Sequence, residues 1–118
     1  MEVKAFKIDV EDTVLDDLRR RLETVRWPDQ IPNSGWDYGS NLDYLKGLVE
    51  YWRSGFDWRA QEAKLNLFHH FKSQVDGLDI HFIHERGQGP DPIPLVITHG
   101  WPSTFFEMHK IIPLLADT

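Results

Sequence analysis

The chain has 118 residues, enough for one compact domain and well short of two, and its 41% apolar content with five Trp, three Tyr and seven Phe reads as globular. Thirteen Lys and Arg against nineteen Asp and Glu leave a net charge of −6, which argues against nucleic acid because phosphate binding needs clustered basic charge. With no cysteine there is neither disulfide nor thiolate chemistry, and no apolar run approaches the ~20 residues that a membrane span needs.

The opening residues Met1 to Lys7 carry no apolar leader stretch, so a soluble, cytoplasmic chain is the expectation. Phe6, Ile8 and Val10 alternate with Lys7 and Asp9, as in a short extended arm with one face buried. Val14, Leu18, Leu22 and Val25 then fall at helical spacing, with Thr13 as the expected cap and Trp27-Pro28 as the stop. Arg19, Arg20 and Arg21 sit among Asp16, Asp17 and Glu23 and read as a solvated helix face.

Pro28, Pro32, Gly35 and Gly39 mark a loop. Ser40 is expected to open a second helix with Asp43 near a capping-box position, and Leu45, Leu48, Val49, Trp52 and Phe56 form its apolar stripe up to Gly55. Asp57 should cap a shorter helix running to about Leu65.

Beyond residue 66 the period changes from helix to strand. Phe71, Ser73 and Val75 share one face, as do Leu78, Ile80 and Phe82, and Asp76-Gly77 between them is a hairpin signal because both residues accept positive φ. A loop from Arg86 to Pro94 leads to Leu95-Val96-Ile97-Thr98, a short unbroken apolar run that suits a strand buried on both faces. His99-Gly100-Trp101-Pro102 ends it. Ser103 or Thr104 should cap a helix carrying Phe105, Phe106 and His109, which Pro113 interrupts about a turn later.

A buried strand ending in His-Gly-aromatic-Pro before a capped helix brings backbone amides to the carboxyl edge of a sheet, where open α/β sheets bind ligands. Amides fixed in such a turn can stabilise an oxyanion without reorganising; an ordinary strand-to-helix turn also uses Gly and Pro. Gly35-Trp36-Asp37-Tyr38-Gly39 fits a nucleophile elbow on paper, but Gln30 to Ser34 before it is no strand, so the segment reads as a loop ending in a helix cap. His69 and His70 are adjacent on a strand and His81 and His84 three apart, so each pair faces opposite ways. No pair has the spacing of a helical zinc site, and metal binding is not expected.

Strand and loop together resemble the oxyanion loop of α/β-hydrolase-fold epoxide hydrolases of the microsomal type. Phe6-Lys7-Ile8, Leu15 to Leu22, Arg26-Trp27-Pro28, Trp36-Asp37-Tyr38-Gly39, Tyr51-Trp52-Arg53 and Phe56-Asp57-Trp58-Arg59 are similar, in the same order, to that family's amino-terminal region. The resemblance implies an α/β fold: a helical arm over 1–66, then the first strands of an incomplete α/β-hydrolase sheet over 67–118. It also implies cofactor-free hydration of an epoxide substrate to a vicinal diol. An aspartate attacks the epoxide carbon, two tyrosines hold the oxygen, and a histidine with a carboxylate activates water against the ester.

The family's loop implies one oxyanion donor here, the backbone amide of Trp101. Gly100 is expected to sit in a tight turn, Pro102 to follow a cis bond, and the His99 ring to bond the loop backbone. The nucleophile, the tyrosines and the base have no counterpart in these 118 residues, so the expected partner is a carboxyl-terminal α/β-hydrolase part. In the family's strand order, residues 95–98 do not lie beside 78–85. They should therefore either lack ladder partners here or pair abnormally, as with another chain, and Val96, Ile97, Phe105 and Ile112 should be more exposed than their character suits. The stripe of Trp52, Phe56 and Trp58 fits the lining of a substrate pocket, or, as is more common at helical spacing, a docking contact of the arm. Two alternatives stay open: a segment of another α/β hydrolase, an esterase or peptidase, and a non-catalytic truncated or split module.

Overall fold

The computed structural model describes residues 2–116. They form two compact units, residues 9–59 and the described residues up to 8 together with those from 60 onward.

In the first unit, α1 (Asp12–Glu23) follows the predicted apolar spacing and buries Leu15 at 7% exposure, the one buried apolar side chain among the described residues. Its cap residue is Glu11 with no side-chain cap bond, and Thr13, expected as the cap, lies inside the helix. The helix closes at Thr24, before Trp27-Pro28, where the Thr24 amide bonds the Arg21 carbonyl in a tightened last turn. The basic cluster lies on the exposed face, Arg19 on Asp16 and both Arg20 and Arg21 on Asp17. The bonds from Arg20 and Arg21 hold the Asp17 carboxyl below its ordinary value.

The second helix, α2 (Leu42–Glu50), is capped by Asn41 rather than Ser40. The Asn41 side chain accepts from the Tyr44 amide at 2.9 Å, because it is the residue whose oxygen reaches that donor. The helix then widens into a π turn, Tyr51–Gly55, closed by the Phe56 amide on the Tyr51 carbonyl at 2.9 Å. Gly55 permits it: a Cβ there would lie 2.8 Å from the Tyr51 ring.

The boundary between units falls within α3 (Trp58–Leu65), which opens just after Asp57 as expected. In the second unit, β1 (Val3–Phe6), β2 (His70–Val75) and β3 (Leu78–Ile83) form an antiparallel sheet in the order β1-β2-β3. β1 is mostly exposed and lies ahead of the predicted arm, sharing only Phe6 with it and ending before Ile8 and Val10. Asn66 takes over at that point, accepting from the Ile8 amide at 2.9 Å and donating to its carbonyl at 2.8 Å. The hairpin is as predicted: Val75 pairs with Leu78, and Asp76 and Gly77 have φ of 50° and 80°.

The predicted strand at 95–98 does not form. Residues 95–98 have no ladder partner among those described, and Val96 is 88% exposed. A strand is defined by its neighbour's hydrogen bonds, and an apolar run without one stays an open segment. The lack of partners and the exposure of Val96 and Ile97 were both expected; Phe105 and Ile112 are half-buried.

The predicted single helix beyond the loop is two elements: a 3-10 turn, Phe105–Met108, and α4 (Ile111–Ala116). Thr104 caps the turn, its side chain accepting from the Phe106 amide at 3.2 Å. Pro113 does not break α4. It lies in the first turn, where the missing amide would have had no helical partner.

Candidate functional site

The loop His99–Pro102 lies between the open segment and the Thr104-capped turn, and its four residues are exposed. The Trp101-Pro102 peptide is cis. Nδ1 of His99 lies 3.1 Å from the Gly100 carbonyl oxygen, so the ring donates to its own loop. The Trp101 side chain is 97% exposed, and among the described residues no group accepts from the Trp101 amide. An unclaimed amide in a turn is a donor available to a developing oxyanion.

The position of Gly100 is open on the side of these residues. A Cβ built on Gly100 meets nothing within 4 Å, and its φ is not in the left-handed region, so these residues do not crowd the turn at Gly100. The four loop residues stand together without a nucleophile, and the described residues bring no aspartate to them. Among the described residues no three His, Cys, Asp or Glu side chains converge as a metal would require.

The Gly35–Gly39 segment is a run of turns, with Asn33, Gly35 and Gly39 at φ of 62°, 56° and 131°. Trp36 packs against Tyr44 at 5.2 Å, and the Gln30 side chain ties the loop to the Gly35 carbonyl and the Leu42 amide. Asp37 therefore projects from a loop, not from a sheet edge.

The histidines hold what single-strand spacing missed. His69 and His70 diverge as expected: the His69 ring meets Glu85 at 2.8 Å, while His70 turns to His81, their ring nitrogens 3.0 Å apart. The signal was present in the hairpin. A two-residue turn fixes the register, and each step back along β2 is a step forward along β3. That puts His81 two residues from Ile83, the partner of His70, and on the same face. Burial first, then the charges of His70 and Lys72, hold the His81 imidazole below its ordinary value.

A helical arm, an antiparallel sheet and an exposed amide loop together make part of an α/β-hydrolase fold. Comparison with known proteins narrows this. The family model for the epoxide hydrolase N terminus matches residues 3–108. A putative epoxide hydrolase of Stigmatella aurantiaca is 47% identical over 115 residues, covering 98% of this chain and 26% of that protein. Epoxide hydrolase 1 of Oryctolagus cuniculus is 44% identical over 119 residues, with 98% and 26% covered. Among solved structures, the Aspergillus niger epoxide hydrolase matches with a TM-score of 0.86 at 32% identity, over 97% of this chain and 30% of that one. The juvenile hormone epoxide hydrolase of Bombyx mori matches at 0.83 and 28%, over 95% and 27%.

The chain belongs to the epoxide hydrolase N-terminal family, and it spans about a quarter of the length of the curated relatives it matches. No helix among the described residues is long and apolar enough to cross a membrane.

Proposed function

We propose that this chain is the amino-terminal part of an enzyme that opens epoxides to vicinal diols through an aspartyl ester. In this reading residues 1–66 are the arm and residues 67–118 begin the hydrolase domain. The chain supplies one oxyanion donor, the Trp101 amide, within the loop His99-Gly100-Trp101-Pro102. The nucleophile, the acid and the base come from a carboxyl-terminal α/β-hydrolase part. The reading is carried by the family match across residues 3–108 together with the unclaimed amide of Trp101. A tetrahedral oxyanion in a dry site needs peptide donors because no water can neutralise it there.

The test compares two proteins on styrene oxide. The 118-residue polypeptide should form no diol, because an oxyanion donor alone has no intermediate to stabilise. The complete gene product containing these residues should form diol and keep most of that activity in Trp101→Phe, which leaves the backbone amide in place. Diol formation by the short polypeptide refutes the division of labour. Loss of activity in Trp101→Phe refutes the backbone role.

A further inference from the structure

His70 and His81 are diagonal neighbours on one face of the β2–β3 hairpin. Their rings stack with centroids 5.2 Å apart and planes 16° apart. Nε2 of His70 lies 2.7 Å from the Leu65 carbonyl oxygen, which can only accept, so that nitrogen carries a proton. In the neutral ring Nδ1 is then the acceptor, and Nε2–H of His81 donates to it across 3.0 Å. His70 is 3% exposed. The Phe105 ring stands edge-on to both imidazoles, 4.8 Å from His81 and 5.9 Å from His70.

We propose that the His70–His81 pair positions the loop His99–Pro102 by seating Phe105, and that the seat holds while at most one of the two rings is protonated and is released when both are. This rests on the oxyanion reading of Trp101. A first proton on the pair leaves one neutral ring, whose free nitrogen still accepts from the other ring, and the bond survives. A second proton sets two N–H groups face to face between two stacked cations.

The groups around the pair do not reverse this. Lys72 shares the face, its ammonium 4.1 Å over the Phe6 ring, and Phe6 itself meets His81 edge-on at 5.4 Å. Lys4, opposite Lys72, is paired with Glu2, and Asp79 lies two residues before His81 on the same face. α3 brings the Leu65 carbonyl and carries the buried Glu62 one turn earlier. The turn that brings Phe105 also carries Glu107, and His109 follows it with Nδ1 2.6 Å from the Phe106 carbonyl oxygen. Because the folded His81 imidazole sits below its ordinary value, its contribution is complete above the unfolded value of about 6.5 and is lost as pH falls through the folded one.

The experiment is amide hydrogen exchange over residues 104–109 in the complete gene product, corrected for intrinsic rates, at about pH 7.5 and, because the His81 imidazole sits below its ordinary value, in steps down to about pH 4.5. Wild type should exchange at least about tenfold faster at the acid pH, with α1 unchanged as the internal control. His81→Gln can still donate to or accept from His70 but does not titrate, and should respond less than about twofold. An undiminished acid response in His81→Gln overturns the proposal. If that variant does not fold, wild type decides by the imidazole proton resonances of His81. Their titration should share its midpoint with the exchange response, and separate midpoints overturn the proposal. Epoxide turnover is read alongside, where kcat should fall on the acid side with KM little changed. A wild type without any turnover refutes the enzyme reading and leaves the exchange result to decide the seat.

Discussion

Replacing Asn66 with Ala removes both hydrogen bonds to Ile8, at 2.9 Å and 2.8 Å, where β1 has already left the sheet. The two are partly buried, and each is worth about 0.5–1.5 kcal/mol net, so the strand should lose about 1–3 kcal/mol of local stability. Converted at 1.36 kcal/mol per decade, that is about 5- to 150-fold faster opening. Hydrogen exchange at the amides of residues 3–8 reads this directly, and the β2–β3 hairpin should be unaffected because its ladder does not involve Asn66. Asn66→Asp tests the donor half: it keeps the acceptor for the Ile8 amide but sets a carboxylate oxygen against the Ile8 carbonyl, so β1 should be loosened in this variant too. A change in Asn66→Ala below about twofold, or an equal change across the hairpin, would refute the view that this amide fastens β1.

Gly77→Ala should destabilise the hairpin by about 1–2 kcal/mol, since φ at Gly77 is +80°; exchange of the β2–β3 amides checks it. Gly55→Ala should loosen the π turn because the new methyl lies 2.8 Å from the Tyr51 ring, and adding Tyr51→Ala should restore exchange at the Phe56 amide. Two independent losses would disprove that contact. Gly100→Val should change the exchange of residues 99–109 by less than about twofold, because a side chain there meets open space; a large change would show crowding by groups outside these residues.

What could be read from the sequence was what local chemistry decides. Asp76-Gly77 specified the hairpin because few residue pairs accept two positive φ values, and both are found. The apolar spacing placed α1 and α2 to within a few residues, while their caps depended on which side-chain oxygen reaches an amide, a matter of ångströms. Asn41 reaches the Tyr44 amide in place of the expected Ser40, and α1 uses no side-chain cap at all. The π turn was hidden because Leu45, Leu48, Val49 and Trp52 keep helical spacing into it; only the room beside Gly55 for the Tyr51 ring distinguishes it. The cis Trp101-Pro102 bond and the His99 ring contact came with the family's loop, whereas the His70–His81 contact needed the register across the hairpin.

The segment Leu95–Thr98 shows the limit most clearly, and it ties folding to the proposed chemistry. Its composition is that of a buried strand, yet Leu95 and Val96 lie exposed with no ladder partner. Burial and backbone pairing are the two rewards of strand formation, and both come from a neighbour that these residues do not provide. In the proposed enzyme that neighbour belongs to the carboxyl-terminal hydrolase part. Laying a strand beside residues 95–98 would pair their backbone, cover Val96 and fix the direction of the turn that follows. The Trp101 amide hangs from that turn on one side, and the Phe105 seat holds it from the other. An oxyanion donor is useful only when held rigidly where charge develops. The interaction that completes the sheet would therefore also aim the amide, so a variant that weakens pairing at 95–98 should lower kcat before it unfolds the protein.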